Sequence, residues 1–470
     1  MRRSIRRARG QDISGRPWTR RGRALAMAGT AAVVAVAITG SLAAAGALTS
    51  GPATHSGTAH ASTRSPIRVR PGADPAKTRT SGPKSGLIPA QIAAAYDLGP
   101  LRRAGITGAG QTIVIVDSFG SPTIASDLAH FDAYFKLPAP PSLRVIQPTG
   151  PVPPFQPSNS NRIGWAQETT LDVEWVHVIA PGASIVLVET PTSENEGTTG
   201  FPQIVTAEEY ALRHKLGQVI SQSFAATEQT FPSQASLLAL RGAYLLAARD
   251  QVTVVSASGD NGATSDEYNM KDLYTGRAVS WPATDPLVTA VGGTQLDLRA
   301  DGTRRSPDVA WPDSGGGKSL VFGRPSYQNG VRAVTGTARG VPDVAMDASC
   351  ASSVAIYGSF YSGPARWNPI CGTSLAAPLF AGVVALADDY AGHGKPHSLG
   401  LINPAIYTIA ARHERGIVAI RSGSNTQQFD QGGKQYTVPG FSAHGGYDLV
   451  TGVGTIDAAY FVPELARLAG

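Results

Sequence analysis

Four short apolar runs, separated by stretches of helical length, restrict the fold of this chain more than any other feature. They are "QTIVIVDSF" (111–119), "ASIVLVET" (183–190), "QVISQSF" (218–224) and "VTVVSASGD" (252–260). Such runs leave little surface for water, so each is read as a strand covered on both faces. Between them, "SPTIASDLAHFDAYF", "FPQIVTAEEYALRHKL" and "QASLLALRGAYLLAARD" read as helices. Strands joined through helices pair in parallel, so the expected fold class is α/β, a parallel sheet flanked by helices. Sheets of that kind place their sites at the carboxyl ends of the strands, where this chain has Asp117, Ser223 and Asp260. The stretch from Asp301 to Asp347 is turn-rich, with "DSGGGKS" read as a surface loop. No internal repeat and no later boundary stands out, so 87–470 is expected to be a single large domain.

The amino-terminal 86 residues differ in kind. Fifteen of the 40 Lys and Arg precede Leu87 against only Asp12 and Asp74, which leaves 25 basic and 32 acidic residues from Leu87 onward. The net charge of +6 therefore belongs to the leader, and the mildly acidic remainder argues against a nucleic-acid partner. Residues 1–48 read as an export signal: a basic stretch, then 25 uncharged residues from Ala24 to Leu48. Small-x-small cleavage candidates stand at Ala45–Ala47 and Ala59–Ala61. The alternative is a retained anchor, which is the one route to a membrane partner; either way the bulk is expected outside the cytoplasm. Residues 49–86 are Ser/Thr/Pro-rich and basic, a composition that buries no core, so they read as linker with no long prodomain. In an exported chain the two cysteines, Cys350 and Cys371, pair most simply as a disulfide, stabilising by about 3 kcal/mol. A metal site would need more ligands, and a cysteine nucleophile would need a histidine partner.

Three segments carry chemistry. In "CGTSLAAPLFAGVVALADDYAG", Ser374 stands at the start of an apolar helix, since Pro378 is tolerated only in a first turn. A serine there is a nucleophile at the positive end of the helix dipole, or simply an N-cap. In "WAQETTLDVEWVHVIAPG", Glu168 and Asp172 are four apart and share one helix face. Two such carboxyls form a coupled acid–base pair or a solvated acidic face; the surrounding Trp165, Leu171, Val173, Trp175 and Val176 leave little free surface. In "VVSASGDNGA", Asp260 is a turn residue or a protonated donor to a developing oxyanion.

These segments together resemble the sedolisins, the serine-carboxyl peptidases whose fold is an enlarged relative of the subtilisins. Glu-x-x-x-Asp, Ser-Gly-Asp and Gly-Thr-Ser-x-x-x-Pro occur in the family's order, within framework segments such as "LIPAQIAAAYDL", "WPATDPLVTAVGGT" and "RGVPDVAMDAS". The resemblance implies a subtilisin-like fold with Ser374 as nucleophile, Glu168 as general base, Asp172 tuning Glu168, and Asp260 as oxyanion donor. A carboxylate works as a base in acid, where a histidine is already protonated, so activity is expected to peak at acidic pH. A subtilisin mechanism would need a histidine in a His-Gly-Thr-type helix, and none of the nine histidines has that context. His177 falls on the opposite helix face from Glu168; His130, His214, His393, His397 and His413 read as surface residues.

Three departures from the family stand out. Cys371 replaces a glycine before Gly-Thr-Ser, and the long prodomain that family members often carry is missing from the linker. The third concerns calcium. "HGGYDLVTGVG" resembles the family's calcium loop, with Asp448 as carboxylate and His444 and Gly446 offering carbonyls beside Ile420. Ala419, however, stands where a second aspartate is expected. Calcium is thus a possible cofactor and no other is implied. The chain reads as a secreted, monomeric peptidase acting on peptides or proteins. Its alternative is a catalytically silent secreted binding or surface protein on the same fold.

Overall fold

Strand β1 (Thr112–Ser118) divides its apolar side chains between two cores, because successive residues of a strand point to opposite faces. Ile113 and Ile115 enter one hydrophobic cluster, Val114 and Val116 the other. The computed structural model describes residues 68–69 and 82–470; the segment read as an export signal and most of the segment read as linker lie outside the described residues. Chain order continues with α1 (Ile124–Phe135), β2 (Leu143–Ile146), α2 (Ser160–Ile179), β3 (Ser184–Thr190), α3 (Phe201–Arg213) and β4 (Val219–Gln222). After these come α4 (Gly242–Arg249), β5 (Thr253–Ala257), β6 (Thr289–Gln295), β7 (Val309–Ala310) and β8 (Val344–Asp347). A hairpin of β9 (Val354–Gly358) and β10 (Arg366–Cys371) leads into α5 (Thr373–Gly392), and α6 (Ala458–Ala469) ends the chain.

The central sheet has eight strands in the order β7-β6-β5-β4-β1-β3-β2, with β8 also on β6. All pairings are parallel except that of β7 with β6. Helices α2 and α5 cover one face of the sheet, and α3 and α4 the other. The α/β expectation therefore holds, with a parallel sheet between helical layers in one large domain. Helix α5 runs through the core, and every residue from Thr373 to Asp389 is buried. Its small residues let α2 approach closely: a Cβ added at Gly382 would stand 2.6 Å from the Ile179 Cβ. That contact sets the distance between the helix of Glu168 and the helix of Ser374.

Four local expectations are corrected. The segment 234–250 is two helices, Gln234–Leu238 and α4, broken where the Arg241 guanidinium is held by buried Asp285 at 2.5 and 2.9 Å. "DSGGGKS" is no surface loop, because Ser314 to Gly317 are buried, with Gly315 against the Ser258–Gly259 turn and Gly316 against Leu449. Helix α5 starts at Thr373, so Pro378 lies in its second turn. Proline has no N–H for the Ser374 carbonyl four residues back, and that carbonyl instead accepts from the Ser223 hydroxyl at 3.4 Å. Finally, within the segment read as linker, Arg68–Val69 pair antiparallel with Cys371 and Ile370 of β10.

Candidate active site

The carboxyl ends of β1, β4 and β5 converge on the amino-terminal end of α5, as the crossover topology requires. Asp117 is on β1, Ser223 follows β4, and Asp260 follows β5 across the Ser258–Gly259 turn. Gly372, with φ of +128°, turns the chain from β10 into α5 in a conformation that side chains resist. Ser374 then lies in the first turn of α5, fully buried. The Asp260 carboxylate accepts from the Thr373 N–H and the Thr373 hydroxyl, both at 2.7 Å, so the two segments are fixed to each other. The Thr373 hydroxyl also accepts from the Gly259 N–H at 3.1 Å.

Glu168 and Asp172 project from α2 with no exposed surface. One Asp172 oxygen accepts from the Ser223 hydroxyl at 3.2 Å. Burial pushes the Glu168 carboxyl well above its usual range, and the nearby Asp172, Asp117 and Asp260 add to the rise. The Ser374 hydroxyl opposes it, lying close enough to favour the carboxylate. The two groups do not form a short, aligned hydrogen bond, and neither the Ser374 Oγ nor either Glu168 oxygen has another partner. Burial, then Asp117, raises Asp172 in the same way, while Ser223 holds it down. Carboxyls so placed cannot all ionise together, so they lose protons one at a time over a wide pH range.

Two features of this site escaped the sequence reading. Asp117 was legible only as an acid at a strand end, yet it joins the pair, with its own carboxyl pushed up to about 7 chiefly by burial. Its distance in sequence from Glu168 hid the relation. The second is the glycine loop: the Gly315 N–H donates to the Gly259 carbonyl at 2.7 Å, and the Ser258 hydroxyl donates to the Gly315 carbonyl at 2.7 Å. This loop braces the turn that carries Asp260, and a run of glycines alone does not specify its neighbour.

The remaining candidates lie apart from this cluster. His177 is buried on the far side of α2, with its Nε2 2.8 Å from the Pro138 carbonyl and 3.3 Å from Asp132. Among the described residues no histidine is hydrogen-bonded to Ser374 or Glu168. His130, His214, His393 and His413 are exposed, whereas His397, expected at the surface, is half-buried. Cys350 and Cys371 form the disulfide, with Cα atoms 4.9 Å apart, and anchor the strand that precedes Gly372. At the calcium loop, the Asp448 carboxylate accepts from the Val450 and Thr451 N–H groups at 3.0 and 2.8 Å and from the Thr451 hydroxyl. The Ile420 carbonyl accepts from the Gly445 N–H at 2.9 Å, and Ala419 brings no carboxylate. The His444 and Gly446 carbonyls remain as ligands of low charge. No group of three or more His, Cys, Asp or Glu placed to hold a metal occurs among the described residues. This donor set offers one carboxylate, where a calcium site usually takes more than one.

Known proteins resemble this chain in sequence and fold. The Subtilase family matches residues 159–400, from the start of α2 past the end of α5. Kumamolisin of Bacillus sp. (strain MN-32) is 32% identical over 352 residues, covering 71% of this chain and 57% of its own length. Sedolisin of Pseudomonas sp. (strain 101) is 28% identical over 397 residues, covering 82% of this chain and 62% of its own. The chain thus spans somewhat less than two thirds of either relative. The solved Pseudomonas sedolisin, a serine-carboxyl proteinase complexed with two molecules of pseudo-iodotyrostatin, superposes with a TM-score of 0.65 at 24% identity. That match covers 83% of this chain and all of that one, a likeness of fold. The family match, these relatives and the order of the Glu168, Asp260 and Ser374 segments agree: the chain belongs to the subtilase family, in its sedolisin branch.

Proposed function

We propose that the chain is an acid-active serine-carboxyl peptidase that hydrolyses peptide bonds through an acyl-enzyme on Ser374. The observation that carries this reading is the buried Glu168 carboxyl facing the Ser374 hydroxyl, with Asp172 behind it and no histidine in reach. In this mechanism Ser374 Oγ attacks the scissile carbonyl and passes its proton to Glu168. Asp260 donates a hydrogen bond to the oxyanion that forms. Glu168 then returns the proton to the leaving amine, and water, activated by the same carboxylate, releases the acyl group. Asp172 and Asp117 act through Glu168: their repulsion raises its proton affinity, so the carboxyls ionise in turn and not together.

Two opposing requirements set the working range. Glu168 must be ionised to accept a proton, and Asp260 must keep its own to donate one. Activity is therefore expected to rise with the first ionisation of the cluster and fall toward neutrality. Digestion of an unfolded protein at about pH 4 by wild type and Ser374→Ala tests the assignment. Cleavage by both, or by neither, would sink it, and neither cleaving would favour a silent binding protein. The basic and apolar character of 1–48 supports export, and so action outside the cytoplasm on peptide or protein substrates as a monomer.

Asp260 offers a separable test. Asp260→Ala is expected to lower kcat about 10² to 10³-fold, the usual cost of a lost oxyanion donor. Asp260→Asn keeps both an acceptor for Thr373 and a donor that does not titrate. Its kcat/KM profile should therefore extend toward neutral pH. An unchanged alkaline limb in Asp260→Asn would remove Asp260 from the donor role.

The donor set at Asp448 supports a loop closed by protein hydrogen bonds rather than by calcium. Chelator is expected to leave the wild-type Tm unchanged, while Ala419→Asp gains a calcium-dependent rise in Tm. A fall in wild-type Tm on chelation would overturn the reading.

A further inference from the structure

A cavity of about 520 Å³ opens between the end of β1, the start of α1 and the start of α2, the helix that carries Glu168. Its apolar wall includes Phe119, Val145, Val152 and Phe155. Its only charged lining residues are Arg162 and Glu189. These two are not paired. Glu189 is turned to Gln147, accepting from its Nε2 at 2.8 Å, and burial raises its carboxyl while that bond lowers it. Among the described residues Arg162 has no carboxylate partner and no side-chain hydrogen bond; its guanidinium lies 3.5 Å over the ring of Phe119. Phe119 is held in place by unusual backbone, with φ of +62°, and by its N–H bond to the Thr190 carbonyl at 2.9 Å. Stacking occupies the face of a guanidinium and leaves its in-plane N–H donors available for a planar anion.

We propose that this cavity is a subsite for an acidic side chain of the peptide substrate, with Arg162 as the group that recognises its carboxylate. The proposal rests on the peptidase reading of Ser374 and Glu168. Arg162 precedes Glu168 by six residues on α2, an axial rise of about 9 Å with the two side chains about 120° apart around the helix. An extended peptide advances about 3.3 Å per residue, so the acidic residue falls within about three positions of the scissile bond. Arginine stays charged throughout the acid range, while a substrate carboxyl ionises near about pH 4. Discrimination therefore strengthens from pH 3 to pH 5. The chain gains a preference for Asp or Glu over the isosteric amide, made by one charge-assisted contact in a partly apolar pocket.

The test is a set of internally quenched peptides that differ only in Asp against Asn, or Glu against Gln, at each of three positions on either side of the cleaved bond. The wild type is expected to show a ratio of kcat/KM, acid over amide, of about tenfold at one position at pH 5, shrinking at pH 3. In Arg162→Ala that ratio is expected to fall to about one, and in Arg162→Glu to fall below one. Equal cleavage of acid and amide by the wild type, or a ratio that survives in Arg162→Ala, overturns the subsite while leaving the peptidase reading intact. Fluorescence anisotropy of the labelled acidic and amide peptides on Ser374→Ala reads the same discrimination without cleavage. If the wild type cleaves nothing yet Ser374→Ala separates the two peptides through Arg162, the subsite stands and the peptidase reading falls. If neither assay separates them, the subsite is overturned.

Discussion

Glu168→Gln is expected to lower kcat by at least about 10³-fold at pH 4, and Ser374→Ala to remove all but a trace of activity. Glutamine matches glutamate in shape but accepts no proton, so the variant isolates the base from the packing around it. The buried site should tolerate the change well, because the amide removes a carboxyl that burial already disfavours when charged. A nucleophile and its base act as one unit, so the double variant is expected to be no slower than Ser374→Ala alone. Asp172→Asn should cost less, since Asp172 touches Glu168 and not the substrate, and should shift the acid limb of the rate profile. The measurement is kcat and kcat/KM against pH for all four variants, with circular dichroism as a check of folding. A Glu168→Gln enzyme within tenfold of wild type would show that another group takes the Ser374 proton.

The second large effect concerns stability. Besides the catalytic cluster, several carboxyls are buried with proton affinities raised by desolvation: Glu196 and Glu208 are each pushed up to about 8, and Glu174, Asp347 and Asp388 are raised well above their ordinary range. A raised carboxyl makes the folded state bind more protons than the unfolded chain. Its stabilising effect is complete below the unfolded pKa near 4.5 and is lost as pH climbs to about 8. For Glu208 alone that loss is about 4 kcal/mol as an order of magnitude. Chemical denaturation is expected to give the largest unfolding free energy near pH 4 and a clear decline by pH 8. Glu208 makes one bond, from the Gln222 side-chain amide, and leaves its Oε2 without a partner. Glu208→Gln keeps an acceptor for Gln222 and cannot ionise, so it should flatten part of the decline. Stability that is constant or rising between pH 4 and 8 would contradict this account. Acidic working conditions would then suit the fold as well as the chemistry.

Much of the site was legible because its parts are local. A spacing of four on an apolar helix puts Glu168 above Asp172, and Gly372 before a run of small residues marks the start of α5. The errors share a cause as well. The one-helix reading of 234–250 missed the pull of Asp285 on Arg241, a partner 44 residues away. The rule that confines proline to a first turn misplaced the start of α5, because the Ser223 hydroxyl satisfies the carbonyl that Pro378 leaves open. "DSGGGKS" has the composition of a surface loop, but its glycines allow close approach to the Ser258–Gly259 backbone.

By itself, then, the sequence determined the α/β alternation, the faces of α2 and α5, and the family to which the Glu168, Asp260 and Ser374 segments belong. Only the tertiary structure decided that Asp117 joins the carboxyl pair, that Ser223 lies between Asp172 and the Ser374 carbonyl, and that Arg162 stacks on Phe119. The physical reason is one of range. Residue periodicity fixes which way a side chain points on its own element, whereas these contacts join elements brought together by parallel pairing and crossover helices. Where each strand ends relative to its neighbours is set by packing over the whole sheet, and that register places four carboxyls and one serine in the same buried cluster.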